Sequence, residues 1–308
     1  MSAPNRIQYL KQQQIDKVNW DRCIHEAPNG LIYAYSFYLD HMAKHWDALI
    51  LNDYEAVMPL TWNRKYGFRY LYQPFLCAQL GIFGKGLSEK HTSNFMEALP
   101  SSFRYTEILL NHENLHGIPN KSCVKRSNYL LSLAKPYEEL YKGYNENIQR
   151  NVKRALQAGC SLQKDFDAER VIELAMQQMK AQGDESTDNV NRFRKLYLYL
   201  YQKKMATTYG IVSSQEKLLA SCVFFFSHDR AYYILVGNHP AGRNMGASHA
   251  LIDAFIKDHA GEKLLLDFEG SDIPTLADFY RGFGATNEPY PALRINRLPF
   301  YLKWLKKS

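Results

Sequence analysis

The residues of this chain best suited to chemistry lie in its second half, in the stretch GNHPAGRNMGASHALIDAF. Pro240 ends an apolar run, and Gly242 and Gly246 permit close backbone approaches that a Cβ would obstruct. A helix starting at about Gly246 directs its first N–H groups at whatever lies beyond the loop. Such groups at the positive end of a helix dipole attract anions, and a pyrophosphate suits them. Arg243 adds a guanidinium for a charge-assisted contact. The same glycines also serve a plain tight turn, with Ser248 as a helix cap. Other phosphate loops are excluded: no Gly-Lys-Ser/Thr follows, and the preceding strands form hairpins rather than the strand-helix-strand unit of a dinucleotide site.

A second pattern is discounted. HENLH, from His112 to His116, would place two zinc ligands one helical turn apart with Glu113 as base. A strand-like YTEILL runs into it, Asn111 and Asn114 favour a turn, and Gly117 and Pro119 stop any helix, so no metal is expected. His41 and His45 share the spacing without a carboxylate in base position and read as helix-surface histidines.

These residues need a scaffold, and 308 residues suit two domains better than one core. The composition, 46% hydrophobic and 22% charged, is that of a globular protein. Five scattered cysteines without a Cys-x-x-Cys pair point to free thiols in a reducing compartment. The opening MSAPNRIQYLKQQQ has no apolar signal core and no run approaches 18 apolar residues, so the chain is read as cytoplasmic without a membrane span. A net charge of +7, spread along the chain, agrees with an anionic ligand.

Hydrophobic periodicity predicts the same order of elements twice: helix, antiparallel strands, helix, strand. Helices are expected around IDKVNWDRCIHEA and SFYLDHMAKHW, the latter capped by Ser36, and a hairpin near Lys65 to Gly67. The second half offers a basic helix, ENIQRNVKRALQAG, three strands up to RAYYILVGN, the helix GASHALIDAFIKDHA, the strand KLLLDFEG and the helix IPTLADFYRGFG. The fold class is therefore α/β of the α+β type: two tandem domains, 1–135 and 136–308, each a mixed, mostly antiparallel sheet flanked by helices.

Within this frame Arg243, Gly246 and Ser248 resemble the acyl-CoA loop of the GNAT acyltransferases, Gln/Arg-x-x-Gly-x-Gly/Ala, with Ser248 replacing the final small apolar residue. The resemblance implies donor binding by Arg243, Asn244, Met245, Gly246, Ala247 and Ser248. LADFYRGFGA is similar to the same family's Phe-Tyr helix, matching at Phe279, Tyr280 and Gly284, with Ala285 in place of the usual aromatic. There the tyrosine protonates the departing thiolate, a role that would fall to Tyr280.

Two GNAT-like halves, one with an intact loop, resemble the FemABX group. The carriers are Asn147 to Leu162, LLDFEGS followed by FYRGFG, and APNGLIYAYSFYLD. QLGIFGKGLSEK keeps Gly81, Gly84 and Gly86 but lacks the loop pattern, so the first half is read as silent and acceptor-shaping.

The resemblance implies an N-acyltransferase using acyl-CoA, such as acetyl-CoA, on an amine of a small molecule or peptide. The alternatives are a FemABX-type aminoacyl-tRNA-dependent transferase acting on a cell-wall precursor and a non-catalytic pair that binds a ligand. Arg150, Lys153 and Arg154 share a helix face that suits RNA phosphate or is simply solvated. Asp267 and Glu269 flank Phe268 and, on a strand, share one face, with Glu269 as the base and Asp267 holding the acceptor. Tyr72 and Gln73, at a strand end of the first domain, are candidate groove residues.

Overall fold

The computed structural model describes residues 6–118, 123–180, 186–270, 272–300 and 302. Pro119 and Ser271, both used in the sequence patterns, lie outside them. The chain divides into two compact units, 1–126 with 289–308, and 127–288.

The first unit contains β1 (Ile7–Lys11), α1 (Lys17–Glu26), α2 (Ser36–Met42), β2 (His45–Leu51), β3 (Ala56–Lys65), β4 (Phe68–Leu71), β5 (Phe83–Gly84), α3 (Glu89–Glu97) and β6 (Phe103–Leu109). Its sheet runs β1-β2-β3-β4-β6 and then the last strand of the chain. The β4–β6 pair is parallel. Helix α1 and the Lys65–Gly67 hairpin follow the sequence pattern, but α2 stops at Met42, so His45 and Trp46 belong to β2 and His45 stacks on Trp62 of β3 instead of lying on a helix surface. Ser36 is the first helical residue, and its N–H and hydroxyl donate to Asp21 at 2.7 and 2.8 Å.

The second unit takes in β7 (Cys123–Ser132) from Ser127 onward, then α4 (Tyr137–Lys142), α5 (Glu146–Gln157), β8 (Ser161–Lys164), α6 (Ala168–Lys180), α7 (Thr187–Gln202), β9 (Ala206–Val212), β10 (Leu218–Ser227), β11 (Arg230–Asn238), α8 (Pro240–Met245), α9 (Ala247–Asp258), β12 (Leu265–Asp267) and α10 (Pro274–Gly282). Its strand order is β7-β12-β11-β10-β9-β8. All neighbours are antiparallel except β11 and β12.

The near-continuous apolar run of β10 is what a strand covered on both faces requires. Phe224 and Phe225 are adjacent and so point to opposite faces. Phe224 stacks on Phe255 of α9 at 3.8 Å, and Phe225 on Phe193 of α7 at 5.8 Å. Helix α9 therefore covers one face of this sheet and α7 the other.

The units differ from the expected 1–135 and 136–308 because β13 (Thr286–Asn296) joins the first sheet, Ala292–Asn296 lying antiparallel to Tyr105–Leu109 of β6. A pairing between residues so far apart in sequence leaves no local signature.

Gly81 and Gly84 of the first half are clamped from within, whereas Gly86 is exposed. Asn29, Asn111 and Asn114, all buried, each donate a side-chain amide to the Ile82 carbonyl, at 2.9, 2.9 and 3.2 Å. Asn114 also accepts the Ile82 N–H at 2.7 Å, and Asn29 that of Gly84 at 3.3 Å. Gly81, at φ +104°, has no room for a side chain, since a Cβ would stand 2.3 Å from the Asn114 oxygen. At the corresponding place in the first half the Ile82 and Gly84 amides are thus occupied by protein. Replacing Asn114 by Ala strands a buried N–H and is expected to cost about 1–3 kcal/mol. Thermal unfolding should register this as a fall of roughly 2–4 °C per kcal/mol.

Candidate functional site

The second sheet comes apart at one place. β12 pairs with β11 over three residues, Arg230–Tyr232 against Leu265–Asp267, and the pairing ends there. Beyond it β11 continues to Asn238 on its β10 side, while the chain after β12 turns toward β7, the Phe268 N–H donating to the Tyr129 carbonyl at 3.0 Å. The gap opens into a cavity of about 1190 Å³, bordered on one side by Tyr233, Ile234, Val236 and Asn238 and on the other by Phe268, Glu269 and Gly270. Every residue lining it belongs to the second unit.

Helix α6 forms a further wall through Leu174 and Gln177. It reaches β11 because Gly237 has no side chain: a Cβ there would meet the Ala175 nitrogen at 2.7 Å. That approach lets Gln178 accept the Asn238 N–H at 2.8 Å.

The loop forms a different local structure from the irregular turn expected. Pro240–Met245 is a short helix, α8, with the His239 ring accepting the Ala241 N–H at 3.1 Å. Gly246 is left-handed at φ +72° and serves as the N-cap of α9. Both glycines are dictated by close packing: a Cβ would lie 2.6 Å from the Leu219 carbonyl at Gly242 and 2.3 Å from the Asn151 carbonyl of α5 at Gly246. Arg243, Gly242, Ala247 and Ser248 line the cavity, whereas Asn244, Met245 and Gly246 do not. Arg243 and Asn244 are exposed. Ser248 donates its hydroxyl to Asn238 at 2.6 Å, tying the start of α9 to the end of β11.

Tyr280 of α10 lines the same cavity, 5% exposed, with its ring stacked on Phe268 at 4.4 Å. Burial, and secondarily the charge of Glu269, raise its pKa well above the ordinary phenol range, so the hydroxyl keeps its proton. Glu269 and Asp267 do not share a face. β12 ends at Asp267, and Glu269 adopts a left-handed conformation at φ +62° that turns it into the cavity wall. Asp267 is buried at 3% exposure and bridges to Arg230 at 3.0 Å, and Arg230 also pairs with Glu288 at 2.9 Å. Asp267 therefore serves the interior rather than an acceptor.

The expected pair from the first unit is engaged there. Gln73 donates to the Cys77 carbonyl at 2.7 Å and accepts the Leu109 N–H at 2.9 Å, while the Tyr72 hydroxyl accepts the Lys44 N–H at 2.9 Å. His112–Leu115 is a 3-10 turn capped by Asn111, with His116 extended, so HENLH does not stack its histidines.

Sequence reasoning missed His249. It is the third residue of α9, lines the cavity and meets Phe279 edge-on at 4.9 Å. Its only early sign was its place just after the loop. Burial, with a smaller contribution from Arg154, lowers its pKa to about 4, so the ring is neutral near pH 7. Below pH 6.5 the unfolded chain takes up a proton here while the folded chain does not until about pH 4. The contribution is thus fully present above pH 6.5 and is lost as pH falls toward 4. Urea unfolding across this window should show a flatter pH dependence for His249→Gln than for the native protein; an identical slope would contradict the assignment.

Residues 142–274 match the family described as acetyltransferase (GNAT) domain. No curated protein sequence matches the chain. Among solved structures it is similar to FemX at 11% identity, with a TM-score of 0.67 over 98% of this chain and 100% of that one. A conserved protein of unknown function from Bacteroides thetaiotaomicron aligns at 11% identity and a TM-score of 0.57, over 94% and 99% of the two chains. L-PGS from Bacillus licheniformis aligns at 8% identity and a TM-score of 0.50, over 84% and 87%. At these identities the likeness is one of fold. No helix among the described residues is long and apolar enough to cross a membrane. Residues 142–274, which hold the split sheet and the Arg243–Ser248 loop, thus match the GNAT domain family, and the chain as a whole shares the fold of FemX.

Proposed function

We propose that the chain is an N-acyltransferase that moves an acyl group from acyl-CoA to an amine of a small molecule or peptide. The observation that carries this reading is the early end of β11–β12 pairing, which leaves a cavity shared by an exposed arginine, a helix N-terminus, a buried tyrosine and a glutamate. The residues present fit the donor. The β11 backbone from Tyr233 to Asn238 runs along the cavity without β12 beside it, as an amide-bearing arm needs. Arg243 and the first turn of α9 suit a diphosphate.

Glu269 takes a proton from the acceptor ammonium, the freed amine attacks the thioester carbonyl to form the C–N bond, and Tyr280 gives a proton to the thiolate released as the C–S bond breaks. A phenol raised by burial is still a suitable donor, because the same apolar wall destabilises a thiolate in parallel. The first domain, without the loop pattern, is read as a non-catalytic, acceptor-shaping half.

A second reading takes aminoacyl-tRNA as donor. It is supported by Arg150, Lys153 and Arg154, exposed on α5, the helix against which Gly246 packs. RNA binding would then weaken steeply with salt.

Calorimetric titration with acetyl-CoA decides between them. Saturable binding that Arg243→Ala weakens about tenfold, the worth of one charge-assisted hydrogen bond, supports the first reading. Absence of binding rejects it and directs the test to tRNA. Tyr280→Phe should lower kcat by about 10²-fold while donor affinity stays unchanged; an equal loss in both would assign Tyr280 to binding instead.

A further inference from the structure

We infer that Asp267, braced by Arg230, is a positioning residue that sets the Glu269 carboxylate for proton abstraction. The inference rests on the reading of Glu269 as the base. It begins with a conformation: Glu269 sits at φ +62°, a region that non-glycine residues adopt at a cost and only where neighbouring groups hold them. The group holding it here is identifiable. One carboxylate oxygen of Asp267, Oδ1, accepts the Glu269 backbone N–H at 2.9 Å, an aspartate-to-(i+2) bond of the kind that fixes turns.

The other oxygen, Oδ2, accepts from Arg230 Nη1 at 3.0 Å. Arg230 is itself fixed, since its two terminal nitrogens also reach Glu288, at 3.2 and 2.9 Å. Asp267 therefore cannot swing away from its bond to Glu269 without leaving a buried guanidinium short of a partner. The result is a rigid path from β11, where Arg230 starts the strand, to Glu269, the second residue beyond β12.

That residue is where the sheet opens, and Glu269 lines the cavity close enough to Tyr280 for its charge to act on the phenol. An extended residue 269 would continue the strand and place its side chain elsewhere. The left-handed turn is what brings base and acid to one wall.

The test is a double-mutant cycle. Turnover is read as thiol released from acetyl-CoA, with methylamine or water as acceptor, by the full chain. Asp267→Ala should lower kcat by roughly 10–100-fold with little change in the KM for acetyl-CoA. In a Glu269→Gln background the same change should cost less than about twofold, because a residue acting through Glu269 has nothing left to position. Equal losses in both backgrounds, or an unchanged kcat in the first, would overturn the inference and leave Asp267 a purely structural ion-pair partner.

If Asp267→Ala does not fold, Asp267→Asn carries the same cycle. An amide has one oxygen where two are used, so it can serve the Glu269 N–H or Arg230 but not both. A Glu269→Gln protein with native turnover, or a native protein that releases no thiol, removes the reading of the site and this inference with it. Turnover that falls on Glu269→Gln, with an equal further loss on changing Asp267 in both backgrounds, removes the inference alone.

Discussion

The site depends on where one parallel strand pair stops. Three residues of β12 bond to β11, and the separation after Tyr232 and Asp267 creates an opening in the second sheet that a ligand's backbone-like arm could enter. The separation is held by specific interactions. The Arg230–Asp267–Glu288 cluster fixes the last bonded residues, and the Phe268 N–H is taken by Tyr129 of β7, drawing the chain away from β11. Buried charges of this kind are costly to desolvate and tolerable only when fully paired, which makes the cluster a determinant of geometry more than a source of stability.

Everything else in the second unit fits around that opening. Gly237 lets α6 approach closely enough to form a wall, and Gln178 then satisfies the Asn238 N–H where β11 ends. Gly246 lets α5 and α9 meet backbone to side-chainless carbon, bringing a basic helix beside the N-terminus of α9. In the first unit Gly81 and Gly84 are buried instead. Three buried asparagines supply the partners that a ligand would supply in an open loop, so the same residue type produces a sealed turn there and an accessible wall here.

Much of this was legible from local pattern. The basic helix over Glu146–Gln157 forms where its periodicity implies, and the Lys65–Gly67 hairpin follows from alternation broken by a turn. The loop residues Arg243 and Ser248, together with Tyr280 and Glu269, do come to one cavity. What local pattern misjudged was conformation at single residues: the left-handed Glu269, the helical Pro240–Met245, and a Ser36 that bonds to Asp21 instead of capping. In each case a neighbour from another element decided the outcome.

Sequence alone determined most of the element types, the placement of glycines where backbone must meet backbone, and the chemical groups available to the site. Those follow from short-range sterics and hydrogen bonding, which act within a few residues. Tertiary structure alone decided that β13 completes the first sheet, that Asp267 faces Arg230 instead of a substrate, and that His249 reaches the cavity. These are consequences of which distant surfaces pack together, and burial and pairing at that range have no fixed spacing along the chain.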